Sequence, residues 1–330
     1  MRYTGKLMRI FLCAVLFAAS LLALAGCNGG DSGKQKVRIA YFPNITHSQA
    51  LIGSSNGIFE QKLEGCDVEY YTFNAGPAEI EAVFAGEVDI GYIGPVPALS
   101  GYARSGGDVV MISGCANGGA VLVAARGSGI ESAGDLAGKR VAIPQLGNTQ
   151  HLSLLKLLSD NGLKTTNAGG DVDVYAVANS EIKSLMANGE IDAALVPEPW
   201  GTRLIHELDA ELVLDYDELW LGGNYSVACV IARREFLEKN PELVESFLEA
   251  HAELTEYINE NPEAAMKTAN DKISELTGAA LEDDILSEAF GRIVFTTDPA
   301  RESVEGFAKI ALDEGFIDPV DDLGGLFRTR

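Results

Sequence analysis

DIGYIGPVPALSGYAR, residues 89–104, is the stretch that decides the fold class. The apolar run from Asp89 to Ile93 predicts a short strand, and Pro95 to Arg104 predicts a helix. A single turn at Gly94 joins the two. Short β-rich runs alternate with helical patterns on both sides of this unit, which is typical of parallel sheets covered by helices. The sequence therefore predicts an α/β fold.

Two series of such units can be followed along the chain. The first has predicted strands at 37–42, 67–73, 89–93 and 109–113, helices at 46–55, 77–85 and 95–104, and an outgoing apolar segment at 120–125. The second has predicted strands at 140–143, 172–177, 191–196 and 211–214, helices at 149–160 and 181–188, and a further helix opened by Pro199. Residues 225–232 resemble a returning strand, and the remaining pattern is helical, with helix starts at Pro241 and Pro262.

Two series joined by two extended crossings predict two lobes with a cleft between them. We expect residues 37–124 together with 225–330 to form lobe 1, and residues 125–224 to form lobe 2. The hinge is expected at the crossings, near Ala124 and Asn224. The tail helices are expected to pack onto lobe 1 through an apolar pattern that includes Leu243, Phe247, Leu248 and Leu254.

The first 36 residues predict targeting and tethering rather than folded structure. Residues 1–26 have a basic start and an apolar run, Ile10 to Ala25, that is shorter than the roughly 18 to 20 residues of a permanent membrane span. The run ends in Leu24-Ala25-Gly26-Cys27, which looks like a bacterial lipobox and predicts lipid attachment at Cys27. The alternative is an ordinary signal peptide followed by an incidental cysteine. Residues 27–36 are polar and Gly-rich, as in a flexible tether.

Composition excludes several classes of protein. The chain has 48 Asp and Glu against 25 Lys and Arg, a net charge of −23, which disfavours binding to nucleic acid. Beyond the leader and Cys27, the three cysteines Cys66, Cys115 and Cys229 lack CxxC spacing, so neither a zinc site nor a disulfide framework is indicated. We expect no metal and no cofactor.

Five strand-to-helix turns carry tight or polar residues, namely residues 43–47, 74–77, 93–97, 146–150 and 196–200. In open parallel sheets, ligands bind outside the carboxyl ends of the strands, where helix amino termini present free N–H groups. Glycine allows close approach of the backbone to a ligand, and proline fixes a turn. Each turn alone could be only a good helix start; together they suggest that both lobes contribute to one pocket.

The ordered set of motifs resembles the aliphatic sulfonate, taurine and nitrate family of ABC transporter solute-binding proteins. The motifs are Ala75-Gly76-Pro77, Ala85-Gly86-Glu87-Val88-Asp89-Ile90-Gly91, Asp135-Leu136-Ala137-Gly138-Lys139-Arg140-Val141-Ala142, Gly147-Asn148-Thr149 and Glu198-Pro199-Trp200. The similarity covers about residues 37–316. It implies a two-lobed, periplasmic-binding-protein-like fold of type II, in which each lobe is a mostly parallel sheet flanked by helices. It also implies that the lobes close over a ligand.

The resemblance implies substrate-binding residues at the matching turns: Asn44, Thr46, His47, Gly76, Pro77, Gly94 and Pro95 from lobe 1, and Gly147, Asn148, Thr149, Glu198 and Trp200 from lobe 2. None of the five turns contains Lys or Arg. An oxyanion would therefore be held by N–H groups and hydroxyls at helix starts, with help from His47 if that side chain is protonated. The Glu198 carboxylate disfavours a second anion in the pocket, so either the ligand carries a positive group or Glu198 points elsewhere.

The resemblance implies transport rather than catalysis. Gly53-Ser54-Ser55-Asn56-Gly57 matches a nucleophile elbow, but a predicted helix leads into it where a strand is required. We expect an extracytoplasmic, monomeric binding protein that is anchored to the membrane by lipid on Cys27 and delivers an aliphatic sulfonate or taurine to a permease with a cytoplasmic ATPase. Nitrate, bicarbonate or a thiamine pyrimidine precursor remain as other ligands, and a pyrimidine-biosynthesis enzyme of the same superfamily remains as the competing class.

Overall fold

A computed structural model describes residues 34–320 and 322–328, and from Lys36 onward the chain forms one compact unit. The predicted signal peptide and Cys27 lie outside the described residues. The strands are β1 (Gln35–Tyr41), β2 (Cys66–Thr72), β3 (Ile90–Ile93), β4 (Val109–Gly118), β5 (Ala120–Ala124), β6 (Arg140–Ile143), β7 (Asp173–Ala176), β8 (Ala193–Pro197), β9 (Glu211–Leu214), β10 (Ser226–Arg233) and β11 (Ile293–Phe295).

The α-helices lie between these strands and continue to the end of the chain. They are α1 (Ser48–Ser55), α2 (Ile58–Lys62), α3 (Gly76–Phe84), α4 (Pro95–Ser105), α5 (Thr149–Asp160), α6 (Asn179–Ala187), α7 (Trp200–Leu208), α8 (Tyr216–Leu219), α9 (Arg234–Lys239), α10 (Pro241–Glu260), α11 (Pro262–Thr277), α12 (Asp283–Gly291) and α13 (Arg301–Asp313). Short 3-10 helices lie at Ile45–His47, Ala133–Leu136, Thr166–Ala168, Leu221–Gly223 and Leu323–Leu326.

The strands form two separate sheets, one in each lobe. The first has the order β11-β4-β10-β3-β1-β2, and the second has the order β7-β6-β8-β5-β9. Within them β1 pairs with β3 in parallel, and β6 pairs in parallel with both β7 and β8. The strands that follow the two crossings, β5 and β10, are antiparallel to their neighbours. Both sheets are therefore mixed, and the predicted α/β class is confirmed.

The assignment of β5 to the second sheet differs from the lobe boundary expected after Ala124. β5 pairs with β8 and β9, so the chain changes sheets between Gly118 and Ala120. Gly118 and Gly119 have φ values of 69° and 65°, and β-carbons there would lie 2.6 Å from the Tyr216 ring and 2.8 Å from the Ile293 side chain. Glycine is needed because this conformation and this crowding both disfavour a side chain. The first crossing is this tight turn rather than an extended segment ending at Ala124.

The tail packs onto the first lobe, as the apolar pattern predicts. Phe247 and Leu254 of α10 are buried in a cluster with Tyr92 and Phe59 of the first lobe, where the Phe59 and Phe247 rings stack at 5.2 Å. One tail segment was predicted wrongly, because β11 lies within a stretch expected to be helical throughout. β11 pairs with β4 and is only three residues long, too short for its alternation to stand out between two helices.

Helices cover both faces of each sheet and bury its alternating side chains. On the second sheet, Leu122 of β5 packs among residues that include Leu158 of α5, whereas the adjacent Val123 packs among residues that include Ile182 of α6. This layering fixes the positions of the strand ends and of the helix starts that follow them. Within the described ranges, no helix is long and apolar enough to cross a membrane.

Candidate functional site

A narrow crevice with a cavity of about 30 Å³ lies between the lobes and is lined by strand ends and helix starts from both. This cavity is smaller than the ~300–1,000 Å³ of typical small-molecule sites, so the lobes must separate to admit an organic solute. The lining residues are Phe42, Asn44, Thr46, His47, Asn74, Ala75, Gly76, Gly94, Pro97 and Val227 from lobe 1, and Pro144, Asn148, Thr149, Gln150, Asn179 and Pro197 from lobe 2.

The crevice brings together seven of the predicted site residues, namely Asn44, Thr46, His47, Gly76, Gly94, Asn148 and Thr149. Pro77, Pro95 and Gly147 stand beside it in the same turns but do not line it. Gly147, at φ 76°, shapes the turn ahead of Asn148, and its N–H donates to His151 Nδ1 at 3.0 Å. Sequence reasoning missed Phe42, Pro144, Asn179 and Val227, which lie outside the five predicted turns. Asn179 begins a helix in a turn that lacks the Gly and Pro signals of those five.

The start of α5 presents the best-defined polar groups of the crevice. Asn148 caps this helix, since its Oδ1 accepts from His151 N–H at 2.8 Å. The N–H groups of Thr149 and Gln150 belong to the first turn, where a helix offers no backbone acceptor. Thr149 is 3% exposed, and its hydroxyl oxygen has no hydrogen-bond partner among the described residues. A buried hydroxyl without a partner is costly, which makes Thr149 a candidate ligand contact.

His47 is neutral in this structure and does not act as the protonated anion ligand considered from the sequence. It is 2% exposed, and burial lowers its pKa to about 3. Its Nδ1 accepts from Phe42 N–H at 3.1 Å, and its ring stacks on Phe42 at 4.5 Å. Because Nδ1 is an acceptor, the ring proton is on Nε2, so His47 contributes a neutral donor.

Trp200 joins the lobes at the edge of the crevice instead of lining it. Its Nε1–H donates to Asn44 Oδ1 at 2.8 Å, which connects the start of α7 in lobe 2 to the turn after β1 in lobe 1. The Arg203 guanidinium lies over the Trp200 ring at 5.2 Å. Trp200, predicted to bind substrate, therefore makes a contact between the two lobes instead.

Glu198 points away from the crevice, contrary to its predicted place in the binding site. Its side chain is fully buried and accepts from Thr202 N–H at 3.0 Å, Thr202 Oγ1 at 2.9 Å and the Arg292 guanidinium at 3.1 Å. Burial raises the pKa of Glu198, and the bonds from Thr202 and Arg292 oppose that rise. A buried carboxylate requires such partners, so this side chain is not available to a ligand.

Arg292 forms ion pairs with carboxylates of both lobes beside the first crossing. Besides Glu198, it donates to Asp215 Oδ1 at 2.9 Å and to Glu288 Oε1 at 2.8 Å. The backbone adds two bonds at the same place, from Glu198 N–H to Gly119 O at 2.8 Å and from Gly119 N–H to Arg292 O at 2.9 Å. This network fixes the turn through which the chain passes from one sheet to the other.

A second polar contact between the lobes involves His206 of α7. Its Nε2 lies 2.7 Å from Glu288 Oε2 and its Nδ1 lies 3.4 Å from Asp284 Oδ2, both on α12 of lobe 1. The hydrogen bond to Glu288 is the main cause that raises the pKa of His206. Protonation of His206 therefore strengthens the contact between α7 and α12.

Among the described residues that line the crevice, none is a lysine or an arginine. Positive potential comes instead from the starts of α3, α4, α5 and α6 and of the 3-10 helix at Ile45–His47. On α4, Pro95 and Pro97 have no N–H, so Val96 N–H is the donor left in that stretch. The arrangement is suited to a small ligand that accepts several hydrogen bonds from neutral groups.

Comparisons with known proteins relate most of the chain to binding proteins. A family model described as the NMT1-like family matches residues 30–271. The taurine-binding periplasmic protein of Escherichia coli is 25% identical over an alignment of 297 positions that covers 87% of this chain and 89% of that protein.

Solved structures share the same architecture. The alkanesulfonate-binding protein SsuA from Xanthomonas axonopodis pv. citri, bound to MOPS, superposes with a TM-score of 0.75 at 19% identity, covering 90% of this chain and 99% of that one. The periplasmic nitrate-binding protein NrtA from Synechocystis gives a TM-score of 0.68 at 14% identity, covering 87% and 83%. At these identities the likeness shows the fold, which is the predicted two-lobed periplasmic-binding-protein-like fold.

Proposed function

The chain belongs to the NMT1-like family, and on that premise we propose that it is the solute-binding protein of an ABC importer, capturing an aliphatic sulfonate or taurine in the crevice between its lobes. The observation that carries this proposal is the Thr149 hydroxyl, which is buried among helix starts from both lobes and has no hydrogen-bond partner within the described ranges. The relatives described above, which bind taurine or alkanesulfonates by name, support the same solute class.

The sulfonate group accounts for the polar half of the crevice. Its oxygens accept hydrogen bonds and carry negative charge, and N–H groups at helix starts hold such oxyanions without a formal cation. Thr149 Oγ1 and the N–H groups of Thr149 and Gln150 supply adjacent donors from α5, and neutral His47 supplies another from the opposite lobe.

The apolar half of the crevice favours an organic solute over nitrate. Phe42 and Val227 line it from lobe 1, and Pro144 and Pro197 line it from lobe 2. An alkyl chain buries apolar surface against these walls, whereas an inorganic anion leaves them without contacts. We therefore expect the alkyl part of the ligand to lie against these four side chains.

Delivery follows from closure around the ligand. We infer that the lobes open at the crossings, admit the solute, and close through contacts such as the Trp200 bond to Asn44, presenting a closed form to a permease with its cytoplasmic ATPase. The leader motif supports attachment outside the cytoplasm through lipid on Cys27, and we propose that the protein acts as a monomer. Substituting Cys27→Ser should release the protein from the membrane fraction, and retention there would contradict the anchor.

Calorimetry and thermal unfolding test the proposal on protein lacking residues 1–27, since the chain from Lys36 onward forms its own compact unit. Ethanesulfonate and taurine should raise the melting temperature by several degrees, because a ligand bound only by the native state stabilises it. Nitrate and pyrimidines serve as the competing solutes. A shift with one of these and none with sulfonates would refute the sulfonate specificity.

A matched pair of variants ties binding to the crevice. Thr149→Val keeps the size of the side chain but removes the hydroxyl, and should weaken sulfonate binding roughly tenfold or more, as expected for loss of a hydrogen bond to a charged group. Thr268→Val, on α11 far from the crevice, should leave affinity unchanged. Equal affinities for wild type and Thr149→Val would remove the observation on which the proposal depends.

A further inference from the structure

Four side-chain hydrogen-bond acceptors of the crevice are occupied by the protein itself. Asn44 Oδ1 accepts from Trp200 at 2.8 Å, and His47 Nδ1 accepts from Phe42 N–H at 3.1 Å. Asn148 Oδ1 accepts from His151 N–H at 2.8 Å, and Gln150 Oε1 accepts from Asn148 Nδ2 at 3.1 Å. The lining therefore offers donors in excess, which suits the oxygens of a sulfonate.

The Asn179 side chain differs from these four. Asn179 is the first residue of α6, it lines the crevice from lobe 2, and its Oδ1 is buried with no hydrogen-bond partner in the described part of the chain. An amide oxygen cannot donate in any protonation state, so only a donor can satisfy it. Leaving it unpaired in a closed crevice costs free energy that a suitable ligand group would recover.

Resting on the proposed function, we propose that the ligand is an aliphatic sulfonate whose other end carries a hydrogen-bond donor, and that Asn179 is the residue that recognises this donor. Thr149 and the helix starts hold the sulfonate, and Asn179 Oδ1 accepts from an amine or a hydroxyl at the far end of the alkyl chain. Because Glu198 is held by Arg292 and Thr202, no carboxylate duplicates this role among the described lining residues.

Under this assignment, the Asn179 side chain distinguishes donor-bearing sulfonates from those without a donor. A site built to pair a buried polar group rejects the analogue that lacks the matching group, because that analogue leaves the protein atom unsatisfied. Ethanesulfonate, which has no donor, is therefore the reference solute. Taurine, with an amine, and 2-hydroxyethanesulfonate, with a hydroxyl, are the two donor-bearing probes.

Calorimetric titration of the three sulfonates into four proteins tests the inference. Wild type should bind at least one donor-bearing sulfonate roughly tenfold tighter than ethanesulfonate. Asn179→Ala should reduce this preference to about twofold or less while leaving ethanesulfonate binding within about threefold. Asn188→Ala, an exposed asparagine at the opposite end of α6, is the matched control and should behave as wild type.

Asn179→Asp separates the two kinds of donor and keeps the test independent of Asn179→Ala. A carboxylate there should strengthen binding of taurine relative to 2-hydroxyethanesulfonate if the natural donor is an amine, and should weaken every sulfonate if Asn179 instead donates to the anion. Equal affinity of wild type for all three sulfonates, or an equal loss of all three in Asn179→Ala, would overturn the role of Asn179 but leave the sulfonate function standing. Absence of binding by every sulfonate would overturn both.

Discussion

Gly94 of lobe 1 and Thr149 of lobe 2 lie directly against each other, and a β-carbon on the glycine would overlap the Thr149 hydroxyl oxygen and stand 3.4 Å from Thr149 Cβ. The glycine is therefore required for closure rather than for an unusual backbone angle. We expect Gly94→Ala to fold but to close incompletely, lowering sulfonate affinity about tenfold, because overpacking costs roughly 1–3 kcal/mol. Calorimetric titration measures the loss.

Two further variants isolate the steric effect. Gly134→Ala changes an exposed glycine of lobe 2 with ordinary space around its β-carbon, and should leave affinity unchanged. Thr149→Ala added to Gly94→Ala removes the overlapping oxygen, so the double variant should close like wild type in small-angle scattering even though it lacks the hydroxyl. A Gly94→Ala protein with wild-type affinity would show that the lobes do not need this approach.

Trp200→Phe removes the indole N–H that bonds Asn44 but keeps an aromatic ring beneath Arg203. A neutral hydrogen bond contributes about 0.5–1.5 kcal/mol, so the closed state should lose that much and ligand affinity should fall about threefold to tenfold. Scattering of the ligand-free protein should indicate a larger mean radius of gyration. If both radius and affinity match wild type, the bond does not contribute to closure.

Arg292→Met should strongly destabilise the fold, because it leaves the fully buried Glu198 carboxylate without its cation. Breaking one partner of a buried ion pair costs roughly 3–5 kcal/mol, measured as the free energy of unfolding in urea. Arg126→Met removes a pair in which both side chains are more than 70% exposed, and should cost less than about 1 kcal/mol.

Glu198→Gln provides the complementary test of the same network. Combined with Arg292→Met it should recover part of the lost stability, since no uncompensated buried charge remains. On its own it should leave sulfonate affinity within about twofold of wild type, because Glu198 points away from the crevice. A large loss of affinity in Glu198→Gln at unchanged stability would show that Glu198 contacts the ligand.

Titration of His206 should make closure of the lobes modestly dependent on pH. Its pKa is raised by Glu288 and Asp284 across the lobe interface, so the protonated form stabilises the closed arrangement. The contribution is fully present below the ordinary histidine pKa of about 6.5 and is lost as pH rises through the raised pKa. For a partly exposed pair we expect about 0.5 kcal/mol, a twofold to threefold change in affinity between pH 5.5 and 8.5. His206→Gln should abolish that difference, and an unchanged pH profile would exclude the contact.

Local sequence signals predicted most of the fold, because strand and helix periods are visible within single segments. β6, β9 and α5 match their predicted bounds, and the helix starts at Pro241 and Pro262 are confirmed. β11 and the place of β5 could not be predicted in the same way. The pairing of β5 with β8 and β9 depends on residues far along the chain, and the turn at Gly118 and Gly119 has no distinctive pattern of its own.

The predictions of site residues show the same difference between local signals and long-range contacts. Gly94 and Thr149 were found because they stand at helix starts, which the sequence marks with glycine, proline and capping residues. Glu198 and Trp200 occupy such a turn too, but their side chains are taken by Arg292 and Asn44, which are distant in sequence. Turn chemistry therefore locates the neighbourhood of a ligand, while the partner of each side chain is decided by tertiary packing.

A crevice free of lysine and arginine, in a chain of net charge −23, has a kinetic consequence. A simple anion must approach against the repulsive field of the whole molecule, so its association rate should rise with added salt until the screening length falls below about 10 Å, opposite to the usual effect of electrostatic steering. A zwitterion such as taurine carries no net charge and should arrive at nearly the same rate at any ionic strength. The acidic surface would thus act as a filter that delays anions before any of them reaches the helix starts.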